Sequence, residues 1–312
     1  MLNVSLRSTV GLIPLLILSS LAGCGGGGGS SGNGSISIGL TDSPVDMASQ
    51  VVLQVSGVAF KLEGSAPETV HNLMPATRQI DLLQYQQGNV ALLLDHVTLP
   101  AGRYQWLRLI IDAQPNVRDS YVVVNGRECE LNVPSGAQTG LKLNRGFTLP
   151  ADGSVALTLD FDLRQSLRAP PGQTGSALEC TQGYLLRPTI RVVDNANVGA
   201  IAGTVTFAAG AVPMSCLPKV YLYDGTVTPD DMEDPPVPPD PLAVFPVDIP
   251  AGTTSGTYKA AFIPAGSYTA AFTCDDDTTA DEVLNFVPAA GTPVTVQNNL
   301  ITTIDFTVPA AP

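Results

Sequence analysis

Histidine and tryptophan are scarce in this chain: two His and one Trp stand among 312 residues. His71 lies in a polar stretch after Pro67 and His96 in the apolar run Leu92–Leu99, and neither has a Ser or Cys nearby in a nucleophile turn. The Gly-x-Ser-x-Gly spelling at Gly28–Gly32 falls inside a Gly/Ser run, without the strand-to-helix turn of a nucleophile elbow, so no hydrolase wiring is written locally. Charge is sparse too, at 14 % of residues, and what there is leans acidic, with Lys+Arg 15 against Asp+Glu 28. A net charge of −13 makes nucleic acid a poor partner. There is no Cys-x-x-Cys pair and no His beside a Cys, which removes the usual zinc pattern. Long helical periodicity is missing, as is any apolar run of the roughly 20 residues that a spanning helix needs.

The most legible segment is the amino terminus. Arg7 and the α-amino group precede an apolar run, Val10–Leu21, with the length of a signal-peptide core. It ends in Leu21-Ala22-Gly23-Cys24, which resembles the bacterial lipobox, where cleavage precedes a cysteine whose thiol carries lipid. Two or three acyl chains hold a protein far more firmly than one. Gly25 follows, with no Asp there, and by resemblance to Gram-negative lipoproteins this favours the outer membrane. Gly25–Gly34 is almost pure Gly and Ser, a flexible tether reaching about 17 Å. It lacks the strand, helix and basic residue of a phosphate-cradling loop.

Beyond the tether, Gly 30, Pro 26 and 44 % hydrophobic residues point to many turns around real cores. Short alternating runs recur. In Ser154–Leu163, Val155, Leu157, Leu159, Phe161 and Leu163 share one face, while Thr158, Asp160 and Asp162 share the other, read as solvent. Tyr121–Val124, then Asn125-Gly126, then Cys129, Leu131 and Val133 reads as a hairpin with a type I′ turn. One short helical turn is expected near Asp81–Gln87. Leu99–Tyr104 and Ile263–Tyr268 echo each other, each placing Pro-Ala-Gly in a turn and a Tyr at the start of a strand. The expected fold class is all-β: two antiparallel β-sandwich domains in tandem. The divisions are 1–23 signal peptide, 24–34 lipidated Cys and tether, 35–195 first domain and 196–312 second domain.

Several separated motifs in the first domain agree with one family. They are Leu40–Asp46, Ile80–Leu83, Leu99–Tyr104, Val133–Gly136, Thr139–Leu143, Asp160–Leu163 and Leu186–Thr189. In order, these resemble the bacterial lipoproteins of domain of unknown function 4382, which implies a β-rich extracytoplasmic domain over roughly residues 35–195. The second domain, through Ile201–Val205 and Ile263–Tyr268, resembles a transthyretin-like or carboxypeptidase-regulatory-like sandwich. Neither resemblance carries over a catalytic constellation.

Four cysteines besides Cys24 allow three pairings. Pairing within domains gives Cys129–Cys180 and Cys216–Cys274, each contributing about 3–4 kcal/mol by chain entropy and fitting an oxidising compartment. Charge is uneven: residues 35–195 hold 12 basic and 15 acidic residues, net −3, whereas 196–312 hold 2 and 13, net −11. The acids cluster at Asp230, Asp231, Glu233, Asp234 and Asp240, and again at Asp275, Asp276, Asp277, Asp281 and Glu282. If both loops share one end of the sandwich, Asp230, Asp231, Asp275, Asp276 and Asp277 offer the oxygen ligands that Ca²⁺ takes. The competing reading is a solvated acidic surface. Asp42 and Asp46, around Pro44, are candidates to join a metal site with other loop acids, and the competing reading is that Asp42 bonds its own turn.

On the strand Arg103–Asp112, Tyr104, Trp106 and Arg108 fall on one face and suit a sugar ring or protein anchor. A neighbouring loop covering them is the rival reading. Beyond Ca²⁺ no cofactor is expected. The functional expectation is an outer-membrane lipoprotein, facing periplasm or medium, that is not an enzyme. It binds glycan or protein, with a structural envelope accessory and a hydrolase as alternatives. Lipid on Cys24 predicts that Cys24→Ser moves the full chain from the membrane to the soluble fraction; a variant still sedimenting with membranes refutes the anchor.

Overall fold

The computed structural model describes residues 32–43, 48–114, 116–134, 140–170, 180, 183–208, 212, 215–233, 236–277 and 281–309. Cys24, the signal segment, most of the tether, Asp46 and Asp234 lie outside the described residues. Among those described, no helix is long and apolar enough to cross a membrane.

Up to Asp194 the chain builds two facing sheets. In the first, β1 (Asn33–Ser43) lies between β5 (Ala91–Pro100) and β11 (Ser154–Asp162), and β14 (Ile190–Asp194) closes the far edge. The second has ten strands centred on β2 (Gln50–Leu62) and β6 (Gly102–Asp112). Around β2 sit β3 (Thr69–Asn72), β4 (Arg78–Asp81) and β7 (Tyr121–Val124). β9 (Leu141–Leu143) and β10 (Phe147–Leu149) pair with β6. β8 (Arg127–Asn132), β13 (Tyr184–Leu186) and β12 (Leu167–Arg168) extend the edge beyond β7. Between the sheets, Ile36, Ile38, Leu40, Leu157, Leu159 and Phe161 pack on Val51, Leu53, Phe60, Leu107 and Leu109.

The remainder forms a second pair of sheets. β15 (Val198–Phe207) pairs with β18 (Ser255–Pro264), β21 (Ile301–Thr303) and β22 (Phe306–Val308). Facing it run β17 (Ala243–Pro246), β16 (Lys219–Asp224), β19 (Gly266–Thr273) and β20 (Val287–Val296). Ile201, Val205 and Tyr258 meet Val220, Leu222 and Phe272 in a separate core. Gly203 is required on β15, because a Cβ there would meet the Ile304 carbonyl oxygen at 1.7 Å.

All-β sandwich architecture is therefore what the chain adopts. The sheets are mixed, however, rather than antiparallel throughout. β1 runs parallel to β11, β8 to β13, and β15 to both β21 and β22. Parallel neighbours need a long crossover. Here the whole of β2–β10 separates β1 from β11 and supplies one.

Local readings that rest on turn chemistry match. Asn125 and Gly126 have φ of 50° and 73° and join β7 to β8. Asp81 caps the 3-10 turn Leu82–Gln84 by accepting from the Leu83 N–H. Both expected disulfides form, Cys129–Cys180 and Cys216–Cys274. A four-residue helix α1 (Leu163–Ser166), capped by Asp162, takes over where the Ser154–Leu163 alternation was expected to run on as strand.

The two Pro-Ala-Gly echoes turn out to be corners between sheets. β5 and β6 belong to different sheets, as do β18 and β19. At each corner a buried tyrosine hydroxyl donates back to the proline carbonyl four residues upstream, Tyr104 to Pro100 and Tyr268 to Pro264, both at 2.8 Å. Tyr104 also stacks on Phe147 at 4.9 Å. Each corner thus joins a local hydrogen bond to its own core. Tyr104→Phe and Tyr268→Phe should each cost about 1 kcal/mol in urea unfolding, and additively, since the two rings share no core. A change within error for both would show that the corners do not need the clamp.

Candidate functional site

The aromatic strand divides at a bulge. Lys61 opposes Trp106 and Leu62 opposes Tyr104, so Gln105 has no partner and the alternation changes phase. Tyr104 accordingly turns inward and is 1 % exposed, which corrects its placement on one face with Trp106 and Arg108. Trp106 and Arg108 do stay on the outer side, both half-buried. The Lys142 ammonium lies 4.7 Å from the indole centroid and the Arg108 guanidinium 5.9 Å, while Arg108 pairs with Glu68. The indole is already engaged by two cations from its own sheet.

Among the described residues, one histidine has a serine and an acid beside it. At a bulge in β5, Ser37, Asp95 and the exposed His96 do come together. Their wiring is not that of a triad. The Ser37 oxygen accepts from the His96 backbone N–H at 3.0 Å, and the ring Nδ1 faces Asp95 at 2.5 Å.

A different site assembles where the two halves meet. Asp160 is buried, not on a solvent face, because the second half covers the end of β11; this corrects the alternation reading. The β11–β14 register sets Arg191 opposite it, with Nε 3.1 Å from Oδ2. Asp162 spends one oxygen on the Gln165 N–H at the start of α1, 3.1 Å away. That turn points Arg164 into the second half. Its guanidinium lies 3.2 Å from Asp277 Oδ2 and 3.4 Å from the Tyr221 hydroxyl, and it also donates to the Asp277 carbonyl. Tyr221 itself donates to the Asp277 carboxylate.

Asp42, opposite Phe161 on β1, is 5 % exposed and neither carboxylate oxygen has a hydrogen-bond partner. This corrects the expectation that it bonds its own turn. Burial pushes its carboxyl well above the usual range, and the charges of Asp160 and Asp162 add to the displacement; the Gln86 side chain and Leu163 backbone, outside good bonding geometry, pull weakly the other way. Burial raises Asp160 more than Arg191 lowers it, and burial raises Asp162 likewise.

Between these groups and Asp240–Ala243 lies a cleft of about 320 Å³, lined by Asp160, Asp162, Arg191, Asp224 and Asp240 among others. Through Asp224 and Asp240 it adjoins an open depression of about 890 Å³ beside Tyr223 and Pro229. Burial, with help from the charges of Asp162 and Asp277, pushes Asp240 up to about 6.

Of the five acids expected to share a site, Asp231 and Asp277 come together, joined by Glu282. Asp230 is exposed and offers its carbonyl to the Tyr223 hydroxyl. Asp275 accepts from Asn285, and Asp276 faces Lys219 at 4.0 Å. Arg164 and Tyr221 gave no signal in the sequence. Tyr221 leaves one trace, in that Lys219–Tyr223 has no polar alternation and is buried on both faces.

Residues 33–188 match the family model described as domain of unknown function DUF4382. The chain belongs to that family. None of the curated proteins matches the chain in sequence. Among solved structures, a leucine-rich repeat protein from Bacteroides thetaiotaomicron aligns at 14 % identity and a TM-score of 0.22, over 90 % of this chain and 26 % of that one. The TIE protein of Bacillus anthracis aligns at 12 % and 0.21, over 89 % of this chain and 34 % of that one. The chain therefore spans about a quarter and a third of these two. The minor pilin of Streptococcus agalactiae aligns at 11 % and 0.23, over 89 % and 97 %. At these scores the superpositions carry no argument about function.

The orphan carboxylate has a measurable consequence. Because Asp42 binds its proton more tightly folded than unfolded, the folded state holds more protons above the ordinary carboxylate range. Stability then falls as pH rises from about 4 toward neutral. Asp42→Asn keeps the shape and removes the part of this slope that Asp42 contributes. Urea unfolding at both ends of the range should show the variant gaining on the wild type as pH rises; parallel curves would mean that Asp42 is not the group responsible.

Proposed function

We propose that this chain is a lipid-anchored extracytoplasmic binding module without catalytic chemistry, and that it holds a glycan in the acidic cleft between its halves. The cleft carries the reading. Asp160, Asp162, Asp224 and Asp240 offer acceptors for sugar hydroxyls and Arg191 offers donors around about 320 Å³. That volume lies at the small end of the roughly 300–1,000 Å³ range of ligand pockets. Asp160 and Asp162 are committed to Arg191 and to the α1 cap, which suits holding a ligand rather than shuttling protons. The Trp106 face is the weaker candidate, since a sugar would have to displace Lys142 from the ring.

The same reading treats residues 35–195 and 196–312 as two units, the second a regulatory-like sandwich. The main apolar cores, over residues 36–192 and 201–306, are separate, and the smaller cluster of Tyr221, Tyr223 and Val244 falls wholly within the second unit, which supports that division. The Leu21–Cys24 lipobox supports attachment to the outer membrane, and the Gly-rich stretch supports display off its surface.

An array of soluble oligosaccharides probed with the detergent-solubilised full chain tests the proposal. Binding should survive Trp106→Ala and weaken roughly tenfold, about 1.4 kcal/mol, in Asp240→Asn. No binding to any glycan, or binding that needs Trp106 and ignores Asp240, overturns it.

A further inference from the structure

We infer that Asp231, Asp277 and Glu282 form a binding site for one calcium ion on the second half of the chain, separate from the glycan cleft. One carboxylate oxygen from each lies within 4.8 Å of the others. Two oxygens at about 2.4 Å from a common Ca²⁺ can be no farther apart than that, so the three suit one ion at calcium distances. The donor set is oxygen alone, the choice of a hard divalent cation rather than zinc or copper.

A second observation is independent of the clustering. Asp231 is 2 % exposed, and its Oδ1 has no hydrogen-bond partner. Its Oδ2 accepts the Glu282 N–H at 2.6 Å, which fixes the carboxylate against the loop that carries Glu282. A buried carboxylate oxygen without a donor is costly, and a coordinated cation removes that cost. Asp277 is similarly held, accepting from the Met232 N–H at 3.5 Å and from Tyr221. Arg164 neutralises one of the three charges through Asp277. The ion would fasten the loop after β16 to the loop after β19, through the same Asp277 that Arg164 meets.

Calcium chloride titrated into the chelator-stripped, detergent-solubilised full chain tests this, read by calorimetry and by thermal unfolding. The expected result is one ion per chain and a melting temperature that climbs with calcium into the millimolar range, with a smaller shift from magnesium. Asp231→Asn and Glu282→Gln should each weaken calcium roughly tenfold. Asp276→Asn, an exposed acid outside the cluster, should leave it unchanged. Absence of any shift in the wild type at millimolar calcium overturns the site. So does a shift of undiminished size in both Asp231→Asn and Glu282→Gln, which would mark a diffuse acidic surface.

Discussion

Arg164 makes a buried ion pair that ties the two halves of the chain together. Its guanidinium is 5 % exposed and the Asp277 carboxylate it meets is fully covered. Removing one partner of such a pair strands the other in low dielectric, at about 3–5 kcal/mol. The pair is not an isolated bond. Asp162 caps the turn that aims Arg164, and Tyr221, raised far above its ordinary range mainly by burial, stays neutral and donates to the same carboxylate. Position, protonation and partner therefore depend on one another across the seam.

Scarcity of positive charge makes that dependence sharper. Asp42, Asp160, Asp162, Asp240 and Asp277 crowd one region, and Arg164 and Arg191 pair with two of them. Every one of those five carboxyls is displaced upward, with burial as the leading cause. The seam is a place where water has been removed from more acid than the local bases can match. Groups in that state respond to added cations, to added donors and to pH, which is why ligand readings converge on it.

Legibility in the sequence followed the range of the interaction. Asn125-Gly126, Asp81 and the two Pro-Ala-Gly corners were readable because their chemistry closes within a few residues. The disulfides were readable once the chain was divided in two. Asp160 and Asp162 misled, because alternation reports which residues share a face and not what covers that face. Tyr104 misled for a local reason, a one-residue bulge at Gln105 that no composition rule marks. The cleft and the seam were out of reach, since Asp160 and Asp240, or Arg164 and Asp277, are brought together by packing between halves.

The stretch matched to the family ends at residue 188, and the structure does not respect that edge. β14, just beyond it, completes the first sheet by pairing with β11 and delivers Arg191 to Asp160. The matched stretch supplies Arg164, whereas Asp277 and Tyr221 come from far downstream. Asp224 and Asp240, which close the cleft, come from there too. The family stretch alone would thus leave Asp160 unpaired, Arg164 without its acid and the cleft open on one side. Whatever the cleft does is a property of both halves folded together, and any account of it has to begin from the interface rather than from the family domain.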